Sequence, residues 1–253
     1  MVIKLNYLCI SDYEGTLINT NRTISNLTIE YINNFVKNNS FIIVSEASFK
    51  ELNEFVNKYK LNVDYFSISE AIFKINNKVF YIYLKNEKLS KLIEKFDDYI
   101  YTAYSNDNVY KYQERLINLY PNDYKISADF IYSTFLNISI DIKIDSEFIN
   151  YLNENNLYYT LIGKDKNRAF YNIKSAKITK ESAYDIIINY YKNKKTIGIA
   201  DSYSDLGLLN KCDIKLAMKN SDNKLKECIN NITKYSNNED GLYYALNDIC
   251  HLQ

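Results

Sequence analysis

The side chains able to do chemistry fall in four short clusters. They are Asp12-Tyr-Glu14-Gly15-Thr16, the lone Ser45, Lys180, and Asp201-Ser-Tyr-Ser-Asp205. Carboxylates dominate, with hydroxyls and one amine beside them. The only histidine, His251, lies two residues from the C-terminus. A Ser-His-Asp triad, a Cys-His pair or a multi-histidine zinc site would each need a better placed imidazole. Catalysis in this chain must therefore run on carboxylates, hydroxyls and lysines. Such an inventory suits hard metal ions and phosphate chemistry. Each residue also has a plainer reading, as a loop carboxylate, a helix cap or a surface lysine. Their joint order along the chain is what argues for a site.

The elements that would position these clusters are legible from hydrophobic periodicity. Ile3 to Ile10 reads as a buried strand ending just before Asp12, and Phe41 to Val44 as another, stopping at Ser45. Between them Leu27, Tyr31, Ile32, Phe35 and Val36 share one helical face. Ser48 with Glu51 has the spacing of a capping box, opening a helix that turns Phe49, Leu52, Phe55 and Val56 inward. Val63 to Ile68 reads as a third strand. The last third repeats the rhythm. A helix begins near Thr179 and carries Ala183, Ile186, Ile187 and Tyr190; Thr196 to Ala200 is a strand and Asp205 to Asn210 a short helix. Ile214 to Met218 and Ile232 to Tyr235 read as strands, before a helix with Leu242, Ala245, Leu246 and Ile249. Alternating buried strands and amphipathic helices imply a mainly parallel sheet with helices on both faces, an α/β class. Ligands bind such sheets beyond the carboxyl ends of the strands, where all four clusters are expected.

The middle of the chain has a different texture. Alternating runs, Lys78-Val-Phe-Tyr-Ile-Tyr-Leu84 and Phe135 to Ile142, flank helical stretches such as Leu89 to Phe96 and Glu147 to Asn153. This α+β character suggests a second domain with an antiparallel sheet, inserted at 75–168 between core segments 1–74 and 169–253. Lys plus Arg equals Asp plus Glu, 31 each, which argues against a nucleic-acid partner, since phosphate neutralisation needs a basic excess. No apolar run approaches the roughly 20 residues that span a bilayer, and Met1 to Tyr13 has no signal-like apolar stretch. The four cysteines, Cys9, Cys212, Cys228 and Cys250, show no C-x-x-C spacing. They read as free thiols of a cytoplasmic protein.

Taken in order, the clusters resemble the four motifs of the haloacid dehalogenase superfamily: D-x-D-G-T, a Ser/Thr, a Lys and an acidic G-D-x-x-x-D. The likeness narrows to its Cof-type subfamily IIB. Ile199 to Leu209 resembles that branch's G-D-x-x-N-D-x-x-M-L. Leu216-Ala-Met-Lys-Asn220 resembles V-A-M-x-N, Ile178-Thr-Lys180 resembles V-S-K, and Asn238-Glu-Asp-Gly241 the closing E-D-G. The resemblance implies a Rossmann-like core with an inserted C2-type cap. It implies a Mg²⁺-dependent phosphatase acting on a small phosphorylated metabolite, a sugar phosphate or a cofactor precursor.

By the same resemblance, Asp12 is the nucleophile that forms an aspartyl-phosphate and Glu14 the general acid and base. Lys180 offsets charge between Asp12 and the phosphoryl group. Mg²⁺ is held by Asp12, the Glu14 carbonyl and Asp201, with Asp205 supporting. Ser45, Gly15, Thr16, Ser204 and Asn220 bind substrate or phosphate. A phosphomutase or phosphotransferase, or a weakened binding protein, would show the same motifs. Several positions depart from the branch. Glu14 stands where Asp is usual, Glu46-Ala47 replaces Gly-Arg, and Ser69-Glu70 replaces Asn-Gly. Ala200 replaces Gly and Ser204 replaces Asn. Glu46 and Glu70 either turn outward or select a substrate with a cationic group.

Overall fold

In a computed structural model of the chain, residues 6–82, 86–104, 109–112, 135–174 and 178–251 are described. The expected strand residues Ile3 to Leu5, and Tyr83 and Leu84, lie outside them. The N-terminal segment alternates strand and helix: β1 (Tyr7–Ser11), α1 (Asn26–Phe35), β2 (Ser40–Ser45), α2 (Phe49–Lys58) and β3 (Asp64–Ser67). Two short strands, β4 (Ile72–Ile75) and β5 (Lys78–Tyr81), follow. The chain then enters an insert with α3 (Asn86–Phe96), β6 (Ile100–Tyr104), β7 (Val109–Tyr112), β8 (Phe135–Asp141), α4 (Asp145–Glu154), β9 (Tyr158–Lys164) and β10 (Arg168–Lys174). It returns with α5 (Lys180–Tyr190), β11 (Lys195–Ala200), α6 (Leu206–Lys211), β12 (Ile214–Ala217), α7 (Asn223–Cys228) and α8 (Gly241–His251).

Two compact units result, one of residues 1–80 and 178–253, the other of 81–177. The first holds a seven-stranded sheet in the order β12-β11-β1-β2-β3-β4-β5. Its pairs from β12 through β3 are parallel, and β4 joins β3 antiparallel. Strands buried on both faces explain the unbroken apolar runs of β1 and β2, where nearly every residue is inaccessible. The second unit holds a five-stranded sheet, β7-β6-β8-β10-β9, antiparallel throughout. Its own core joins Leu136, Ile138, Ile140, Tyr171 and Ile173 to Phe96, Phe148 and Leu152 of α3 and α4.

The helices start where their caps dictate. Ser25 accepts from Thr28 N at α1, and Ser48 from Glu51 N at α2. At α5, Thr179 and Ser182 form a reciprocal capping box, which makes Lys180 the first helical residue.

Three expectations need correction. Lys78 to Tyr81 extends the seven-stranded sheet rather than the inserted one, so the units divide at 80/81 and 177/178, not at 74/75 and 168/169. The β4–β5 turn carries Asn76 and Asn77 at positive φ, a conformation asparagine tolerates, and it folds β5 back onto β4 at the edge of the sheet. Ile232 to Tyr235 forms no strand; Ile232 makes only an isolated parallel bridge to Ala217. Leu27 and Tyr190, expected on buried helical faces, are exposed. Thr28 is buried in place of Leu27, because its hydroxyl donates to Asp240 Oδ1 at 3.0 Å.

Candidate active site

β1 is the pivot of the core sheet. The chain moves outward from it through β2 and β3, then returns on its other side at β11. A crevice opens at the carboxyl ends of strands where the order reverses in this way. Asp12 follows β1, Asp201 follows β11 and Ser45 ends β2, so three neighbouring strands deliver three of the four clusters to one edge. Asp12 N donates to Ile199 O at 3.0 Å, carrying the β1–β11 ladder one residue further and fixing Asp12 at its end.

Lys180, opening α5, closes the group. Its Nζ lies 2.6 Å from Asp12 Oδ1 and 2.6 Å from Asp205 Oδ1. Asp205 is wholly inaccessible, and Oδ1 has no further partner among the described residues. Asp12, Asp201 and Asp205 each present a carboxylate oxygen, all within 4.8 Å of one another. Burial raises the carboxyls of Asp12 and Asp205 to about 6, against the Lys180 charge that lowers both. Burial raises Asp201 as well. At Lys180 burial opposes the charge, yet Asp12 and Asp205 outweigh it and hold the ammonium above its usual range. Two buried carboxyls and one half-buried, against one ammonium, leave the pocket short of positive charge. Their oxygens are the donor set a hard divalent cation such as Mg²⁺ takes, so the residues present fit the ion that the resemblance implies.

The loop after Asp12 is held tightly. Tyr13 is buried edge-on against Phe55, with centroids 4.9 Å apart, and its carbonyl accepts from Leu17 N and Ile18 N at 3.0 Å. Gly15 sits at φ +70° with no room for a side chain, because a Cβ would lie 2.1 Å from Asp201 Oδ2. Thr16 Oγ1 donates to Asp201 Oδ1 at 3.2 Å. Asn220 Nδ2 donates to Gly15 O at 2.7 Å, while its Oδ1 accepts from Asn237 N at 3.0 Å. Both ends of that amide thus brace the loop. Ser45 Oγ accepts from Ala47 N at 3.0 Å, which leaves its proton to donate elsewhere. Ser204, expected to bind substrate, is exposed and donates to Ser202 Oγ at 3.0 Å.

The Glu14 carboxylate is not drawn into the buried cluster. Its side chain is 61 % exposed and pairs at 2.7 Å with Arg22, whose other nitrogen meets Glu51. Sequence reasoning missed Arg22. Its only signal was the Asn-rich turn at 19–23, where Asn19 Oδ1 accepts from Asn21 N and Thr23 N and Arg22 takes φ +58°. Glu51 consequently completes no capping box at α2. Glu70 takes up that role in part, its carboxylate accepting from Phe49 N at 2.8 Å. Glu46 is exposed.

Comparison with known proteins bears on the fold and the family. A Thermotoga maritima protein of known structure superposes with TM-score 0.73 at 19 % identity, covering 96 % of this chain and 97 % of its own. A haloacid dehalogenase-like hydrolase from Bacteroides thetaiotaomicron gives 0.66 at 16 %, covering 96 % and 99 %. A second protein of that organism, described among the phosphatases of the same superfamily, gives 0.65 at 16 %, covering 98 % and 96 %. At these identities the likeness concerns the fold. No curated protein matches the chain significantly by sequence. The sequence pattern of the haloacid dehalogenase-like hydrolases, however, matches residues 9–246, nearly the whole chain. The chain belongs to the haloacid dehalogenase-like hydrolase family.

Proposed function

We propose that the chain is a cytoplasmic, Mg²⁺-dependent phosphatase that hydrolyses a small phosphorylated metabolite through a phosphoryl group carried on Asp12. The observation that carries this reading is the Lys180 ammonium held 2.6 Å from both Asp12 and Asp205 in a pocket of three carboxylates. A phosphate monoester resists attack because it is wrapped in negative charge, so catalysis is mostly positioning and charge neutralisation. Asp12, Asp201, Asp205 and the Glu14 carbonyl would hold the ion. When bound, the ion supplies positive charge that offsets the phosphoryl oxygens and the attacking carboxylate.

The protein groups divide the remaining work. A carboxylate oxygen of Asp12 bonds to phosphorus as the ester P–O bond breaks, giving an acyl-phosphate and an alkoxide. Lys180 keeps Asp12 oriented and ionised beside that charge. Ser45 directs its hydroxyl proton to a phosphoryl oxygen. Glu14, released from Arg22, protonates the alkoxide and then takes a proton from the water that attacks the acyl-phosphate. That second attack frees inorganic phosphate and restores Asp12.

The test is Mg²⁺-dependent release of phosphate from an aryl phosphate by the wild-type protein and by Asp12→Asn. Loss of release in the variant supports the reading. Full activity in Asp12→Asn overturns it.

A further inference from the structure

The sheet of the second unit carries a cavity that its packing does not explain. Along β8, Leu136, Ile138 and Ile140 face the core made with α3 and α4. Alternation turns Asn137 and Ser139 to the opposite face. On the neighbouring strand, Phe170 and Asn172 turn the same way. The register sets Ser139 beside Phe170 and Phe170 beside Gly163, with Asn137 beside Asn172 in the next row. A cavity of about 160 Å³ lies here, lined by Asn137, Ser139, Ile162, Gly163 and Phe170 among others.

Three features suit this cavity to a ligand. Ser139 is only 3 % exposed, yet its Oγ has no hydrogen-bond partner among the described residues. A buried hydroxyl without a partner costs stability, and alanine there would avoid the cost. Gly163 is required by neither packing nor backbone, because a Cβ there would meet nothing within 4 Å; its missing side chain leaves the space beside Phe170 open. Asn172 Nδ2 donates to Asn137 Oδ1 at 2.9 Å. That bond leaves the Asn137 amide with donors and Asn172 with an acceptor side by side.

The lining also limits what fits. The side chains of Ile162 and Phe170 make it mainly apolar, and among the described residues no charged side chain lines it. The nearby Arg168 guanidinium lies over one face of Phe170, 5.8 Å from its ring centre, and is held there 5.4 Å from the ring centre of Tyr101 and 3.6 Å from Asp165, which leaves the other face of Phe170 for a ligand. A neutral ligand with an apolar face and a polar edge matches this combination. We propose that the cavity binds a flat, uncharged heteroaromatic ring, a nucleobase or one of similar size. Phe170 supports its face, and Ser139, Asn137 and Asn172 meet its hydrogen-bonding edge.

The test uses full-length protein without added metal, titrated calorimetrically with adenosine, uridine and pyridoxine, and with glucose as a non-aromatic comparison. At least one ring is expected to bind in the millimolar range or tighter, with glucose about tenfold weaker or worse. Gly163→Leu should abolish binding without lowering Tm. Ser139→Ala should weaken binding about tenfold, the scale of one lost hydrogen bond, while Tm stays level or rises. A merely structural serine would show the reverse, a lowered Tm with binding unchanged. The proposal is overturned if no ring binds, if glucose binds as well, if Gly163→Leu still binds, or if Ser139→Ala lowers Tm. The probes carry no phosphate, so this result and that of the Asp12→Asn assay stand independently.

Discussion

Gly15 and Asp201 approach so closely that a Cβ on the glycine would lie 2.1 Å from Asp201 Oδ2. The loop that follows Asp12 is thereby shaped around a carboxylate contributed 186 residues later in the chain. The left-handed φ of Gly15 lets its backbone turn away there, and Asn220 fixes the turned carbonyl.

Gly15→Ala should therefore damage metal binding more than folding alone would explain. The displaced Asp201 would raise the Mg²⁺ concentration needed for half-maximal activity by about 10- to 100-fold, and Tm would fall. A Mg²⁺ titration of activity beside a thermal melt checks both. An unchanged Mg²⁺ requirement would show that Asp201 is no ligand.

Lys180→Ala should remove catalysis and stability together. Losing one preorganised charge stabiliser costs about 10²- to 10³-fold in kcat. The variant also leaves Asp12 and Asp205 buried without a counter-charge, and breaking a buried pair costs about 3 kcal/mol or more. Urea unfolding in the presence of chelator, beside steady-state kinetics, separates the two losses. A variant of wild-type stability would mean that the ammonium does not balance the buried carboxyls.

Mg²⁺ should stabilise the folded protein. The ion binds the converged carboxylates of the native state and has no such site in the unfolded chain, so Tm should climb with Mg²⁺ concentration. Asp201→Asn should blunt the rise. Melts with increasing Mg²⁺, against chelator, are the measurement; identical curves would count against a metal at this site.

Glu239 gives an acid-side signature. Its carboxylate accepts from Ser236 N at 3.0 Å and Ser236 Oγ at 2.8 Å and pairs with Lys219, which together bring it down to about 2. A carboxyl lowered on folding stabilises the native state above its ordinary range near 4.5, and that contribution disappears as pH falls toward 2. Thermal melts of Glu239→Gln should thus be lower than wild type at pH 6 and converge with it at pH 2. Curves that stay parallel would remove Glu239 from the acid response.

Much of the core was legible because the information is local. Ser48 and Thr179 announce α2 and α5, and both cap as their residue types demand. The apolar runs ending at Asp12, Ser45 and Asp201 are strands because only a doubly covered sheet buries residues on both faces. What escaped was decided between distant segments. Glu51 has the type and spacing of a box partner, yet Arg22 claims it. Glu70, a candidate for substrate selection, accepts from Phe49 N instead.

The sequence by itself determined the parallel α/β architecture and the order of the four chemical clusters, through periodicity and motif spacing that operate within a few residues. Only the tertiary structure decided that Glu14 pairs with Arg22 and that Asn220 braces Gly15. It also decided that β4 and β5 extend the core sheet. Each of these depends on which remote partner offers the better charge, hydrogen bond or sheet edge. That competition is settled in three dimensions, and no local pattern encodes its outcome.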